Sequence, residues 1–396
     1  MSGGGPVAAA PLNPPVWVLA LASFTVGLSM RMLDPLLPML AREFGVGLGG
    51  VAPLIGGFAL AYGLGQIALG PLGDRFGKMR VVAVALTFYV GTLFGAAMAE
   101  GLTTLLAFRV LAGLATAAVV PLFMAHIGDN VPYGQRQAVL GKLLNGMVAA
   151  QLLAGPMAGA VAEFAGWRVV FWGVGVLAAG ATAFFAWRLG PGVWQAPPAA
   201  PGGSALGGFL RILKKRAGRR LMLGTALDGL LLFGGAFPFI ASLLIERFHL
   251  SAAGAGLVVA SFGVGSLTYT SFAGRLLGRL GERGMVLTGG LGVSAALVVF
   301  ALATHWWPVA LAQVAVGLLF FMLHGVLQAR ATELMPEARG TAVACFAMSL
   351  FFGQAIGSLI FGTMIVWVGF TPVFLVTAVG VVGLSFWLCR SVLRTA

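Results

Sequence analysis

Apolar residues run along this chain in long blocks, not in alternation with polar ones. About twelve stretches of about 20 residues are nearly free of charge, at roughly 16–38, 50–72, 80–99, 103–126, 138–162, 168–189, 219–245, 253–276, 285–303, 307–331, 341–366 and 370–390. A helix of that length crosses a ~30 Å hydrocarbon core. The lack of a period-two pattern argues against barrel strands. The pattern predicts an all-α integral membrane protein with twelve transmembrane helices, counted here as helix 1 to helix 12. Composition agrees: the chain is 59% hydrophobic and 9% charged. Its mean hydropathy is +0.99, and a water-soluble domain of this make-up would expose large apolar patches. The opening MSGGGPVAAAPLNPP has no basic segment of the kind that starts a signal peptide. The first run is therefore expected to be a retained span after a short mobile tail. Cys345 and Cys389 fall inside spans and read as small core residues, not as a disulfide framework.

Charge placement predicts an orientation. If the amino terminus faces the cytoplasm and spans alternate, nineteen of the 24 Lys and Arg residues lie inside. Arg42, Arg168 and Arg247 then lie outside, and Arg31 and Arg109 lie within spans. This is the positive-inside bias. It accounts for the +13 net charge by membrane sidedness, with no nucleic-acid partner needed. The longest loop, GPGVWQAPPAAPGGSALGGFLRILKKRAGRR, is flexible in its Pro/Gly-rich first half. Its second half predicts a short basic amphipathic helix lying on anionic lipid at the cytoplasmic face. The expected organisation is a tail at 1–15, a six-helix bundle at 16–189, a linker at 190–218, a second bundle at 219–390 and a tail at 391–396, with both termini cytoplasmic.

The two bundles read as a repeat at an offset of 204 residues. Gly70 meets Gly274, Arg75 meets Arg279 and Gly77 meets Gly281. Arg109 and Gly113 meet Gln313 and Gly317, while Asp129 and Pro132 meet Glu333 and Pro336. Two parallel repeats imply a pseudo-two-fold axis along the membrane normal and a polar cavity between the halves.

The stretch GPLGDRFGKMR, residues 70–80, carries Asp74, Arg75, Lys78 and Arg80 between nearly uncharged runs. It resembles the loop 2–3 signature of the major facilitator superfamily, G-x-x-x-D-R-x-G followed by basic residues. The second copy, GRLLGRLGERG, has Gly278 in place of the acid. Segment count, linker and duplicated signature extend the resemblance over the whole chain. It implies two pseudo-symmetric six-helix bundles and a loop that switches between two packings. Gly70, Gly77 and Arg279 would then belong to the switch. Asp74 would face the start of helix 11 near Thr341, where a helix N-terminus favours an anion. Arg75 would reach Glu333 or Asp129.

Four ionisable groups fall within spans: Arg31, Asp34, Arg109 and Asp228. Each costs ~2.5–3.5 kcal/mol on insertion scales unless it is paired or hydrated. Arg31 precedes Asp34 by three residues on one helix face, and Asp34 and Arg109 lie at similar predicted depth. RMLDPLLPML and FRVLAGLATA resemble the acidic helix-1 and arginine helix-4 motifs of proton-coupled drug exporters. In such a pair, burial favours the protonated acid and the cation favours the carboxylate. The alternative is a permanent Asp34–Arg31 or Asp34–Arg109 pair that only orders the bundle. Asp228 reads either as a second proton or substrate site or as a cytoplasmic-side residue that snorkels. In helix 5, Gly155, Pro156 and Gly159 resemble the second half of the antiporter signature G-x8-G-x3-G-P-x-x-G-G. Lys142, Gln151 and Ala160 replace its other glycines.

Further polar residues that could line a cavity are Tyr62, Gln66, Asn145, Gln151, Tyr269, Gln313, His324, Gln328 and Gln354, each with a helix–helix hydrogen bond as the simpler role. No metal-ligand spacing, nucleophile elbow, P-loop or other cofactor motif appears. The leading expectation is a monomeric secondary-active transporter, not an enzyme, in the bacterial inner membrane. It would exchange a small amphipathic organic compound or drug for protons. The alternative is an uptake carrier, a proton symporter for a small metabolite or organic anion.

Overall fold

The structure is a computed structural model and describes residues 12–191, 205–335 and 339–393. The expected tail over 1–11, most of the loop half of the linker and the side-chain roles given to Gly70 and Asp74 lie outside the described residues. The described chain forms twelve crossing segments. They are α1 (Val16–Glu43), α2 (Pro53–Phe76, led in by a turn at Leu48–Val51), α3 (Lys78–Ala97), α4 (Leu102–Asn130), α5 (Tyr133–Ala165) and α6 (Trp167–Leu189). A linker helix (Ala205–Lys214) precedes α7 (Arg216–Phe248). Next, one helical run, Ala252–Leu302, holds two crossings. At 51 residues it would be ~75 Å long if straight, more than twice the hydrocarbon thickness. It breaks at Gly281, whose φ of 61° and ψ of 174° are non-helical, into α8 (252–280) and α9 (282–302). The chain closes with α10 (Trp306–Glu333), α11 (Arg339–Val368) and α12 (Phe370–Ser391).

Prolines shape the two helices that carry buried acids. Pro35 lacks an N–H and disfavours a helical Asp34. Accordingly α1 stops at Arg31 and passes through a 3₁₀ turn at Asp34–Leu36 before resuming at Leu37. In α7 the segment Gly229–Ala236 is a π-helix directly after Asp228 and just before Pro238. Pro238 cannot donate to the carbonyl four residues back, and the wider i→i+5 turns take up the difference.

The halves repeat in three dimensions. Within the first, α1 packs on α5, α2 on α4 and α3 on α6; within the second, α7 packs on α11, α8 on α10 and α9 on α12. Gly77, with φ 94°, turns α2 into α3 as Gly281 turns α8 into α9. Gly101 and His305 start α4 and α10 with nearly identical extended dihedrals. Arg109 Nε donates to the Leu54 carbonyl at 3.3 Å, and Gln313 Nε2 donates to the Val259 carbonyl at 3.3 Å. The outer face is apolar: Phe164 is 90% exposed and Trp367 80% exposed, as lipid-facing side chains should be.

Contacts across the halves are concentrated away from the linker. Along α2–α11 they run from Gly47 against Val366 to Gly63 against Phe351. Along α5–α8, Gly159 lies on Ala252, Gly155 on Gly256 and Leu152 on Gly263. Toward the linker these helices part, and Gly141 on α5 and Gly274 and Gly278 on α8 have open space beside them. At that end the linker helix bridges instead, touching α2 and α11, with Gly208 against Thr341. The molecule is therefore closed at the far end and open toward the linker.

Candidate central cavity

Between the halves lies a cavity of about 280 Å³. The first half contributes a polar wall of Arg31, Asp34 and Gln151 together with Pro35 and Pro156; the second contributes Phe233, Phe237, Phe262, Phe320, Phe321 and His324, with Gln313 and Gln328. The Phe320 ring stands at the centre of this wall, 5.4 Å from Phe233, 5.5 Å from Phe237 and 5.8 Å from Phe262 between centroids. An apolar wall facing a few convergent polar groups is what a pocket for a small organic molecule requires.

The bend in α1 aims Asp34 at this space. Its carboxylate is buried and accepts one hydrogen bond from Arg31 Nη1 at 3.4 Å, just ahead of the 3₁₀ turn. Arg31 is the more open partner, and its guanidinium lies 5.6 Å from the Phe233 ring centroid on the opposite half. The expected Asp34–Arg109 bond is not made. Arg109 is 2% exposed and instead donates to the Leu54 carbonyl, the Ser29 carbonyl at 3.0 Å and Ser29 Oγ at 3.2 Å, with Phe58 4.3 Å beneath it. Its planar five-donor head suits this role of joining α4 to α1 and α2.

Asp228 does not snorkel. It is fully buried, and its Oδ2 is 2.7 Å from His324 Nδ1 of α10. Its Oδ1 has no partner among the described residues. Spacing in the chain could not reveal a contact between residues 96 apart. Among the other expected cavity residues, Gln151, Gln313, His324 and Gln328 border the space, whereas Tyr62, Gln66, Asn145, Tyr269 and Gln354 are not among its lining residues. Tyr62 is instead 4.6 Å from Phe351 in the α2–α11 seam, and Asn145 is exposed. The aromatic wall was missed in the sequence. Its spacings, Phe233 to Phe237 and Phe320 to His324, are the one-turn steps that would have placed these rings on common faces.

At the linker end the charged loops pair within each half. Lys78 pairs with Asp129, and Arg330 pairs with Glu282 and lies 3.7 Å from Glu333. The expected link from Arg75 to Glu333 or Asp129 is replaced by these pairs, and Arg75 lies over the Phe76 ring at 5.2 Å. Lys78 and Glu282 are repeat-related, so the duplicated loop–helix bridge has its charges reversed.

Twin six-helix bundles around a central cavity that is closed at one end define a membrane transporter, not an enzyme. A sequence profile of the Major Facilitator Superfamily matches residues 19–244 and 221–394, and the chain belongs to that family. It is 24% identical over 351 residues to the uncharacterized MFS-type transporter YceJ of Bacillus subtilis (strain 168), covering 88% of each chain. It is 30% identical over 284 residues to a chloramphenicol resistance protein of Streptomyces lividans, covering 70% of each. In fold it is similar to a bacterial homolog of the human lysosomal transporter Spinster in an inward-facing, unoccupied conformation. The TM-score there is 0.76 at 17% identity, covering 96% of this chain and 95% of that one. The nucleoside transporter NupG gives a TM-score of 0.73 at 16% identity, covering 95% of this chain and 98% of that one.

Proposed function

We propose that this transporter exports small amphipathic organic compounds, drugs among them, in exchange for protons by rocker-switch alternating access. It acts as a monomer in the bacterial inner membrane, with the linker end and both termini in the cytoplasm. The clustering of Lys and Arg at the linker end supports this sidedness, and the Arg211 and Lys214 side of the linker helix would meet anionic lipid. On this orientation the cavity opens to the cytoplasm, the side from which an exported substrate loads.

The observation that carries proton coupling is the Arg31–Asp34 pair on the cavity wall. A carboxylate held by a single 3.4 Å contact can exchange that contact for a proton or for a donor on the substrate. Loaded from the cytoplasm, the substrate engages the ionised Asp34. When the cavity opens to the other side, a proton takes that place and the substrate leaves. Arg109, bonded to the backbone of α1 and α2, positions the α1 bend and does not exchange partners. The switch elements would be the α5–α8 crossing at Gly155, Pro156 and Gly159 and the loops holding Gly70, Asp74, Arg75, Gly77, Lys78, Arg80 and Arg279. Proteoliposomes with an imposed pH gradient test this reading, with chloramphenicol as the first probe. The wild type is expected to concentrate the probe against the proton flow. Asp34→Asn is expected to equilibrate it regardless of the gradient. Equal gradient response in both would refute the coupling role. A second reading is uptake of an organic anion with protons. The exposure of Arg31 and its place over Phe233 favour it, and opposite flux under the same gradient would identify it.

A further inference from the structure

We infer that Asp228 and His324 form a second proton-binding site, in the C-terminal half and distinct from the Arg31–Asp34 pair. The argument is one of charge. Asp34 has Arg31 beside it, so its ionised form is neutralised in place. Asp228 has no such partner among the described residues. Its side chain is 0% exposed, its carboxylate meets His324 Nδ1 at 2.7 Å, and its Oδ1 is left without a hydrogen bond. With a neutral imidazole the dyad carries a net negative charge in the membrane interior, which is costly. One added proton, held on the ring as an imidazolium against the carboxylate, makes the dyad neutral overall.

The surroundings supply no alternative cation. α11 and α12 carry no charged residue between 340 and 389, and α8 carries none between 252 and 274. From α8, Tyr269 packs against α10 near Gly325. From α11 comes Phe346, 5.5 Å from the His324 ring. Among the residues lining the cavity, Arg31 of α1 is the one cation, and Phe233 stands between, 5.6 Å from the guanidinium and 5.6 Å from the His324 ring. On the ring's other flank Phe320 is stacked at 4.8 Å.

The site also has a route for protons. His324 is 9% exposed and borders the cavity, which opens toward the linker. By the repeat offset, Asp228 sits about ten residues nearer the linker end than Asp34, roughly 15 Å along a helix. The cavity thus has one protonatable site on each half, at different depths. The π-helix begins at the residue after Asp228, so the charge state of the dyad acts where α7 is least regular. The site serves the proposed coupling, but its chemistry does not depend on the direction of transport.

Nitrogen-15 NMR of the full chain labelled at histidine tests this without any substrate. His126→Gln, His249→Asn and His305→Gln leave His324 as the sole ring. The ring is expected to pass from one proton to two as the pH is lowered. Adding Asp228→Asn is expected to weaken that proton binding roughly tenfold or more. Asp228→Glu, which keeps the acid if the amide variant does not fold, should retain the step. A ring that stays in one protonation state throughout overturns the inference, as does unchanged proton affinity in Asp228→Asn. Neither result would touch the Asp34 coupling test, which reads transport.

Discussion

The α5–α8 crossing at the closed end offers a sharp test of how this molecule changes state. A Cβ placed on Gly256 would sit 2.5 Å from the Gly155 carbonyl carbon, 2.6 Å from its oxygen and 2.7 Å from the Pro156 nitrogen. All three are backbone atoms, so no rotamer change can make room. Ordinary contact begins near 3.4 Å, and Gly256→Ala must therefore part the helices by about 1 Å. Overpacking of this kind costs ~1–3 kcal/mol. The cost falls on the state closed at the far end, because in the alternating-access cycle proposed above these helices separate in the other state. The equilibrium should then shift by about 5–150-fold toward opening at the far end. Double electron–electron resonance checks this, with Cys345 and Cys389 replaced by serine. Labels at Arg42→Cys and Glu246→Cys report the far end, and labels at Gln137→Cys and Arg279→Cys report the linker end. Gly256→Ala should lengthen the first distance and shorten the second. Unchanged distributions in a well-folded variant would show that this crossing is not the closing seam.

Three more outcomes follow from the same geometry. Glu163 Oε1 accepts from the Ala253 amide at 2.9 Å, one half capping the start of α8 in the other. Glu163→Ala should shift the same equilibrium in the same direction by about 3–10-fold, read from the same pair of distances. Arg109→Lys keeps the charge but loses the fork, and orphaning the buried carbonyls should cost about 2–3 kcal/mol, read as a lower melting temperature in detergent. Phe320→Ala removes the centre of the aromatic wall and should weaken chloramphenicol binding, measured by equilibrium dialysis, about tenfold if that probe fills the cavity.

Much of this protein was legible in its linear order because lipid imposes strong local rules. Uninterrupted apolar runs had to be helices, since no water satisfies backbone groups in hydrocarbon. Repeated glycines at 77 and 281 marked two equivalent reversals, and the 204-residue offset marked the duplication. The three-residue spacing of Arg31 and Asp34 placed both on one helix face. What the chain alone could not disclose are relations between helices. Whether Asp34 took Arg31 or Arg109 was decided by the 3₁₀ bend and by backbone acceptors on α1 and α2 that claim the buried guanidinium. Asp228 and His324 meet only because α7 and α10 are neighbours in the second bundle. The phenylalanine wall exists only because faces of three helices converge, and phenylalanine is equally at home against lipid. Local periodicity sets which segments cross the membrane. Which side chains share the cavity depends on how those segments turn and lean against one another, and that is a property of the assembled bundle.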